Sequence, residues 1–344
     1  MRKKSILIIT QTVDDNDSNL SFFCDWLREF SNNLDKVYVI ANKVGEYDLP
    51  QNVIVLSLGK ERGTGKIGKI IKLWAYLLKY LPKVDGIFAH MCPEYVVAGG
   101  WLARVYGKKL GLWYLHKSLT WKLLLSEKLV NYIFTAHQDG LLIKSSKVIV
   151  TGHGIDLSLF NKKYNKINNN KFNILTVGRI TESKNLLFLI KSAIFLQNKF
   201  DKKVNFTIVG EPYLPKDKEY LIKIKKYISK QGVENMFEFV GKIQHKEIAD
   251  YYGRSDVLVN ASKTGGVDKA VLESIISGIP AITSNEAFKN ILPEAALFEL
   301  GNYEDFVDKI KNIHSIPLNE VKNKIILEND LKNTIKQIIN KLII

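Results

Sequence analysis

Short runs of β-branched and other apolar residues alternate along the chain with stretches in which apolar residues recur at helical spacing. In the first half the apolar runs are SILIIT, KVYVIA, VIVLSL, GIFAH, LGLWYL, NYIFTA and KVIVTG. Between them lie helical patterns such as LSFFCDWLREFSNNL and KIIKLWAYLLKYL. Such alternation is typical of βαβ units, in which helices join parallel strands. The pattern predicts a doubly wound, Rossmann-like α/β domain over residues 1–160.

Residues 161–171, NKKYNKINNNK, break this pattern, because they are polar, rich in Asn and without apolar periodicity. We interpret them as a linker. A second series of strands is predicted at NILTVG, VNFTIVG, MFEFVG, DVLVNA and AITS, within a second Rossmann-like domain over 172–316. The pattern LNEVKNKIILENDLKNTIKQIINKLI then predicts a C-terminal helix over 317–344. Crossing back to the N-terminal domain is one of the paths open to this helix. We expect two doubly wound domains facing across a cleft, with ligands at the strands' carboxyl ends where strand order reverses.

The composition is that of a globular protein large enough for two cores. The chain has 344 residues, of which 46% are hydrophobic and 25% charged. No apolar run reaches the roughly 20 residues of a membrane span, and MRKKSILIITQ lacks the cleavage site of a secretory leader, so a cytoplasmic protein is expected. Cys24 and Cys92 have no CxxC spacing, which argues against a disulfide framework or a structural zinc.

The net charge is strongly positive and favours anionic partners. Lys and Arg number 50 against 35 Asp and Glu, which gives +15 at pH 7. Residues 60–83 carry seven of these cations around a group of aromatic and aliphatic residues. This segment either contacts an anionic membrane as a peripheral protein at the inner face of the plasma membrane, or packs on the sheet with its lysines in water. Nucleic-acid binding is supported by the charge alone and is not expected.

Residues 264–280, TGGVDKAVLESIISGIP, predict a helix that opens with glycines. The first N–H groups of a helix and its positive dipole end bind anions, and glycines let a ligand approach the backbone. Glu273 lies too far inside to cap this helix, and its carboxylate could accept hydrogen bonds from ligand hydroxyls. A phosphate beside a diol is a nucleotide. The predicted donor-binding segment is Gly265, Gly266, Val267, Asp268, Lys269 and Glu273. The alternative is a flexible loop before a helix with Glu273 on its solvent face.

A second anion-binding signal follows the first strand of the second domain. In VGRITESKNL, Arg179 comes directly after the strand and Lys184 opens the next helix. Two cations on one loop can neutralise a diphosphate held between this loop and the glycine-opened helix. Further residues at successive strand ends are assigned to the same donor site: Gly178, Gly210, Gly241 and Lys242. These glycines form no GxGxxG pattern, so a nicotinamide enzyme has little support.

The order VGRI…SK, IVG, FVG, a strand ending before AS, and VLESIISGIPAI resembles the donor domain of retaining GT-B glycosyltransferases of family 4, the group 1 transferases. WYLHKS and GHGIDLSLF resemble that family's acceptor-domain histidine and hinge. The resemblance covers most of the chain and is strongest over 150–285. It implies that Arg179 and Lys184 bind the donor diphosphate, that Glu273 binds the ribose hydroxyls and that His116 contacts the sugar or orients the acceptor.

The resemblance implies a metal-independent hexosyltransferase that needs no cofactor. Its donor would be a UDP- or GDP-linked sugar, and its acceptor a saccharide or lipid-linked glycan in polysaccharide or cell-envelope synthesis. One position departs from the family, because Gly265 stands where the first Glu of its E-x7-E motif is usual. Asp268 or Lys269 could replace the contacts of that Glu. An epimerase-like GT-B enzyme, a catalytically degenerate member and a basic nucleic-acid-binding protein remain as alternatives.

Other sequence signals have weaker interpretations. GKERGTGKI resembles a P-loop, but its glycine spacing is too long and Ile67 stands where Ser or Thr is required. Asp14, Asp15 and Asn16 follow the first strand and are assigned to an acceptor loop rather than to a metal site, although Asp15 and Asp17 have Asp-x-Asp spacing. His153 is expected to shape the hinge.

Overall fold

The computed structural model describes residues 4–17, 19–116, 118–160, 170–263 and 265–344. Its strands are β1 (Ser5–Val13), β2 (Lys36–Val44), β3 (Val53–Ser57), β4 (Gly86–His90), β5 (Lys109–Trp113), β6 (Tyr132–Thr135), β7 (Val148–Val150), β8 (Lys171–Val177), β9 (Lys203–Val209), β10 (Phe237–Gly241), β11 (Val257–Asn260) and β12 (Ala281–Thr283). Each apolar run that predicts a strand is a strand in the structure.

The helices separate consecutive strands in most of the chain. They are α1 (Phe22–Asn33), α2 (Lys66–Tyr80), α3 (Pro93–Val105), α4 (Trp121–Leu129), α5 (Leu157–Phe160), α6 (Leu186–Gln197), α7 (Pro215–Gln231), α8 (Ile248–Gly253), α9 (Lys269–Ile276), α10 (Tyr303–Lys311), α11 (Leu318–Asn329) and α12 (Leu331–Leu342). Two predicted amphipathic helices of the first half correspond to α1 and α2. No helix of the described residues is both long and apolar enough to cross a membrane.

The strands form two parallel sheets, one in each of two compact units. The first unit is Met1–Asp156 with Glu328–Ile344, and the second is Leu157–Leu327. The first sheet has the order β3-β2-β1-β4-β5-β6-β7 and the second the order β10-β9-β8-β11-β12. Strand order reverses between β1 and β4 in the first sheet and between β8 and β11 in the second. Both sheets therefore have the doubly wound topology that the alternating pattern predicts.

Helices cover both faces of the first sheet. On one face, α1 and α12 bury aromatic and aliphatic residues in a core that includes Trp26, Phe30 and Ile335. On the other face, α2, α3 and α4 contribute Leu77, Val96 and Leu123 to a second core. Burial of apolar side chains on both faces explains why these strands read as continuous apolar runs.

The C-terminal helical pattern is divided in the structure. α11 ends at Asn329 and α12 begins at Leu331, because Asp330 has extended backbone angles and its side chain accepts a hydrogen bond from the Lys332 N–H as an N-cap. Ile155 and Asp330 form an isolated parallel bridge inside the first unit. Most of the linker predicted at 161–171 lies outside the described residues.

Candidate functional site

The second sheet brings three of the predicted donor residues, Gly178, Arg179 and Lys184, to its switch point. β8 and β11 are neighbours there, and a pocket at their carboxyl ends is lined by these residues: Thr176, Val177, Gly178, Arg179, Ile180, Lys184, Leu186, Ile208, Asn260 and Ala261. The crevice beside such a reversal is where open α/β sheets bind ligands. Arg179 and Lys184, five residues apart in sequence, thus line one pocket.

Three predicted donor-site glycines stand side by side at this sheet edge. Gly178 follows β8, Gly210 follows β9 and Gly241 ends β10. The Gly178 N–H donates to Val209 O at 3.0 Å, and the Gly210 N–H donates to Gly241 O at 2.8 Å. A Cβ on Gly210 would lie 1.9 Å from the Gly178 carbonyl oxygen, and the φ of Gly210 is +138°. Only glycine allows this approach. Lys242 follows as an exposed side chain.

Lys184 is held at the pocket by an ion pair with Asp268. Asp268 is the residue before α9, and its Oδ1 contacts the Lys184 Nζ. Its Oδ2 accepts hydrogen bonds from Asn260 Nδ2 at 3.1 Å and Asn285 Nδ2 at 3.4 Å. About a fifth of each ion-pair side chain is exposed, 21% for Lys184 and 17% for Asp268. The pair is therefore accessible from the pocket while the amides fix the carboxylate.

Arg179 differs from Lys184 in that its side chain is exposed. Within the described residues, its guanidinium makes no hydrogen bond or ion pair. A guanidinium presents several donors in a planar fork that fits phosphate oxygens. Arg179 is thus available to an anion, whereas Lys184 has to exchange Asp268 for one.

The glycine-opened segment before α9 leaves room beside the backbone. Gly265 has φ +67°, and a Cβ atom added at Gly266 would meet no other atom within 4 Å. The Gly266 carbonyl accepts a hydrogen bond from Asn285 Nδ2 at 2.8 Å, and Val267 is buried beneath. Lys269 is the first residue of α9. These features fit a helix N-terminus open to an anion.

Glu273 is buried inside the second unit, with 5% of its surface exposed. Its Oε1 lies 3.1 Å from His245 Nε2, and its Oε2 accepts a hydrogen bond from the Tyr252 hydroxyl at 3.0 Å. Burial raises the pKa of this carboxyl, but the His245 contact, the Lys269 charge and the Tyr252 hydrogen bond together bring the pKa below its usual value. The alternative of Glu273 on a solvent face of the helix is therefore wrong.

His116 lies in the first unit and is exposed. Its Nδ1 lies 3.2 Å from the Ser118 backbone N–H and 2.8 Å from the Ser118 hydroxyl. A backbone N–H can only donate, so Nδ1 accepts and the neutral ring carries its proton on Nε2. The ring therefore offers a hydrogen-bond donor at Nε2, which suits contact with a hydroxyl or anionic oxygen better than proton abstraction.

The residues predicted as an acceptor loop follow β1, next to the switch point of the first sheet. Asp15 accepts two hydrogen bonds from the Arg28 guanidinium at 2.9 and 3.0 Å. Asp14 pairs with Lys43 at 3.3 Å and accepts the Asn16 N–H at 2.9 Å. Both carboxylates thus have cationic partners, and among the described residues no group of three or more His, Cys, Asp or Glu could hold a metal ion.

The GHGID part of the hinge-like segment, residues 152–156, is packed in the first unit. The His153 N–H donates to Asn329 Oδ1 at 3.0 Å, and Trp26 Nε1 donates to the Gly154 carbonyl at 2.9 Å. His153 is buried, with its ring 6.2 Å from that of His137. The position fits the structural role predicted for His153.

Five site residues were not predicted from the sequence: Asn260, Thr283, Asn285, His245 and Tyr252. Asn260 ends β11, and its Oδ1 accepts the Thr283 hydroxyl at 3.0 Å. Its place at the carboxyl end of a strand beside β8 is a signal that could have found it. The partners of Glu273 gave no such signal, because they lie in and before α8, which packs on α9 only in the folded chain.

The fold and the site can now be compared with known proteins. A crystal structure of Anabaena HepE in complex with UDP has a TM-score of 0.75 with this structure, at 15% identity, covering 98% of this chain and 99% of that chain. This likeness confirms the predicted fold class, α/β of the GT-B type with two Rossmann-like doubly wound domains.

Two curated proteins are similar in sequence. The UDP-Gal:α-D-GlcNAc-diphosphoundecaprenol α-1,3-galactosyltransferase of Escherichia coli is 27% identical over 208 residues, covering 54% of this chain and 51% of that protein. The capsular polysaccharide biosynthesis glycosyltransferase CapH of Staphylococcus aureus is 25% identical over 133 residues, covering 39% of this chain and 35% of that protein. The match with this chain thus spans about half the length of the first relative and about a third of the length of the second.

The sequence profile described as "Glycosyl transferases group 1" matches residues 158–332, slightly more than half of the 344 residues. The matched part contains Arg179, Lys184 and Glu273, on which the resemblance was based. The chain belongs to the Glycosyl transferases group 1 family.

Proposed function

We propose that the protein is a retaining, metal-independent glycosyltransferase that moves a hexose from a nucleotide-diphosphate sugar to a saccharide or lipid-linked acceptor. The observation that carries this proposal is the meeting of Arg179, Lys184 and the N-terminus of α9 at the switch point of the second sheet. Each supplies positive charge or N–H donors to one anion. A diphosphate leaving group develops negative charge as the glycosidic bond breaks, and preorganised donors stabilise that charge.

UDP is the nucleotide that we propose for the donor. The E. coli relative is named for UDP-Gal, and the HepE structure contains UDP. Glu273 would accept hydrogen bonds from the ribose hydroxyls, since its lowered pKa keeps the carboxylate ionised and ionised groups form stronger hydrogen bonds than neutral ones. The open backbone at Gly266 would receive the sugar or the phosphates.

Retention of configuration is proposed from the family resemblance. In such a reaction the acceptor hydroxyl attacks on the face that the diphosphate leaves, so positioning and charge stabilisation carry most of the catalysis. No enzyme carboxylate has to form a covalent bond, and the presence of Gly265 in place of Glu is compatible with turnover. Lys184 would move from Asp268 to the diphosphate when the donor binds.

We place the acceptor at the first unit, at the switch point of its sheet. Asp14, Asp15 and Asn16 follow β1, and the exposed residue His116 follows β5. Names of the relatives refer to a polyprenyl diphosphate-linked acceptor and to a capsular polysaccharide. Polysaccharide or cell-envelope glycan synthesis is therefore the proposed setting, at the inner face of the plasma membrane.

A donor screen tests this proposal. The purified chain is incubated with UDP-galactose, UDP-glucose, UDP-N-acetylglucosamine and GDP-mannose, with a polyprenyl diphosphate sugar as acceptor, and nucleotide release and glycan product are both measured. We expect transfer from a UDP sugar that persists in EDTA, with the anomeric configuration of the donor kept in the product.

Three outcomes would contradict parts of the proposal. Isomerised donor without transfer indicates an epimerase-like enzyme. Turnover that stops in EDTA and returns with Mn²⁺ contradicts metal independence and directs attention to Asp15 and Asp17. An inverted product contradicts retention.

A further inference from the structure

The outer side of α2 carries an apolar stripe that the described residues leave exposed. Ile67, Ile71, Trp74 and Leu78 are spaced by four, three and four residues, which places them on one side of the helix. Their exposed fractions are 77%, 59%, 42% and 51%. A different side of α2 packs on the sheet and includes Leu77. Packing in the core thus explains one apolar side of α2 and not the other.

The neighbouring helix α3 extends the exposed apolar surface. Trp101 and Val105 lie one turn apart and are 47% and 70% exposed. The helices α2 and α3 approach closely, because a Cβ on Gly99 would lie 2.4 Å from Leu77 Cδ1. Trp74 reaches across this contact, and its Nε1 donates to the Ala98 carbonyl at 2.7 Å. The stripes of α2 and α3 are therefore adjacent.

The next helix, α4, adds a third exposed apolar group on the same face of the sheet. Trp121, Leu124 and Leu125 are 65%, 48% and 40% exposed. Arg104 of α3 donates a hydrogen bond to the Lys128 carbonyl of α4, so the two helices are held together. We call the outer faces of α2, α3 and α4 the three-helix surface.

The three-helix surface is also basic. Its exposed cations on or beside the helices include Lys66, Lys79, Lys83, Arg104 and Lys128. Two acidic side chains nearby have cationic partners. Glu61 contacts Arg62 at 3.6 Å and Glu127 contacts Lys147 at 3.5 Å.

Apolar side chains flanked by cations match one kind of partner. Exposed apolar patches mark interaction surfaces, Trp is enriched at the boundary between acyl chains and water, and Lys and Arg are attracted to anionic head groups. Two copies of this surface would repel each other through their like charges, which disfavours a dimer. We propose that the three-helix surface docks the protein on an anionic lipid bilayer, with Trp74, Trp101 and Trp121 at the level of the head groups.

This surface belongs to the first unit, whereas the proposed donor site belongs to the second. Docking does not depend on the identity of the donor. The two proposals can therefore fail separately, since vesicle binding and UDP binding are measured independently on the same variants.

The positions of the five tryptophans allow a direct test. Trp26 and Trp113 are 1% and 4% exposed, whereas Trp74, Trp101 and Trp121 are at least 42% exposed. Tryptophan fluorescence is recorded with vesicles of phosphatidylcholine alone and of phosphatidylcholine with phosphatidylglycerol, each with brominated acyl chains. We expect quenching with the anionic vesicles. Because Trp26 and Trp113 are buried and cannot contact lipid, this quenching reports on the three exposed tryptophans. It should weaken as salt rises, because salt screens the attraction between the cations and the head groups.

Variants with matched controls localise the contact. Ile71→Ser with Leu124→Ser removes apolar side chains but keeps every tryptophan, and Lys66→Glu with Lys79→Glu reverses two charges. Each double variant is expected to lower vesicle partition about tenfold, through lost apolar burial or lost attraction. Controls on the second unit make the same changes at exposed sites: Ile222→Ser with Leu327→Ser, and Lys223→Glu with Lys226→Glu.

The controls should partition as the wild type does, and thermal unfolding confirms that each variant is folded. Absence of quenching, or equal partition of surface variants and controls, would overturn the proposal. So would a dimer that the surface variants dissociate, since that result assigns the surface to a second copy of the chain.

Discussion

The Tyr252 hydroxyl donates a 3.0 Å hydrogen bond to the buried carboxylate of Glu273. Tyr252 is fully buried and Glu273 is 5% exposed, and burial raises the pKa of Tyr252 well above its usual value. The tyrosine therefore stays protonated and remains a donor at any physiological pH. Together with His245, it keeps a negative charge inside the unit on the helix that follows the glycine-opened segment.

Tyr252→Phe should raise the pKa of Glu273 and destabilise the fold by about 1.5–3 kcal/mol, the range for a hydrogen bond to a charged group. The pKa of Glu273 in the folded chain lies below its usual value of 4.5. The ionised carboxylate therefore stabilises the fold at pH values above the pKa of Glu273 in the unfolded chain. This contribution is lost as the pH falls through the pKa of Glu273 in the folded chain. The variant should unfold at a higher pH in an acid titration followed by circular dichroism.

Tyr220→Phe is the matched control, because the Tyr220 hydroxyl accepts a hydrogen bond from the Leu187 N–H and, within the described part of the chain, donates none to a carboxylate. Tyr220→Phe should lower the free energy of unfolding by the same amount at neutral and at acidic pH. Equal acid midpoints for Tyr252→Phe and wild type would contradict the role given to this hydrogen bond.

Glu273→Gln should weaken UDP binding by about 1.5–3 kcal/mol, as expected for lost charged hydrogen bonds. The wild type should also bind a 2′,3′-dideoxy UDP analogue less tightly than UDP, whereas the variant should discriminate little between them. Isothermal titration of both ligands with both proteins gives the coupling energy. Glu286→Gln, at a side chain that is 82% exposed, is the control and should bind both ligands like the wild type. Equal discrimination by Glu273→Gln and wild type would remove Glu273 from the ribose site.

Asp268→Asn should strengthen UDP binding by about 1 kcal/mol, the upper range for a partly exposed ion pair. The reason is competition, since Lys184 contacts Asp268 and has to release it to bind phosphate. Lys184→Ala should weaken binding, and Asp268→Asn should have little effect when combined with it. Weaker binding by Asp268→Asn alone would show that the carboxylate positions Lys184 for the ligand instead of competing for it.

Gly210→Ala should destabilise the second unit by about 1–3 kcal/mol for the backbone conformation, with a further loss from overlap. Its Cβ would lie 1.9 Å from the Gly178 carbonyl oxygen, which belongs to the backbone and cannot move without the sheet edge. Gly278→Ala is the control, because Gly278 has φ +81° with no atom within 4 Å of an added Cβ. Denaturant unfolding of both variants separates the clash from the strain. Equal losses would contradict the close approach of the two strand ends.

The sequence predicted the strands well because buried parallel strands are short apolar runs between helical patterns. It also predicted that Arg179 and Lys184 lie together, as they do in the lining of one pocket, since residues at the carboxyl end of one strand come together by topology. Neither argument could reach the partner of Lys184. Asp268 is 84 residues further along the chain, and its pairing with Lys184 depends on how the loop before α9 packs against the loop after β8.

The same limit applies to other parts of the site. His245 and Tyr252 are ordinary polar and aromatic residues in the sequence, and only the packing of α8 on α9 makes them partners of Glu273. The break between α11 and α12 depends on a single N-cap at Asp330 within a continuous helical pattern. The apolar stripe of α2 was interpreted in two ways because periodicity does not say which side of a helix meets the sheet.

The central claim is that Arg179 and Lys184 form the diphosphate site of a nucleotide-sugar donor. Isothermal titration of UDP into Arg179→Ala tests it most directly, since Arg179 is exposed and its loss should leave the fold intact. The matched control is Arg254→Ala, at an exposed arginine of the same unit that does not line the pocket. We predict that Arg179→Ala weakens UDP binding by about 1.5–3 kcal/mol while Arg254→Ala binds like the wild type. Equal UDP affinity of Arg179→Ala and wild type would contradict the account.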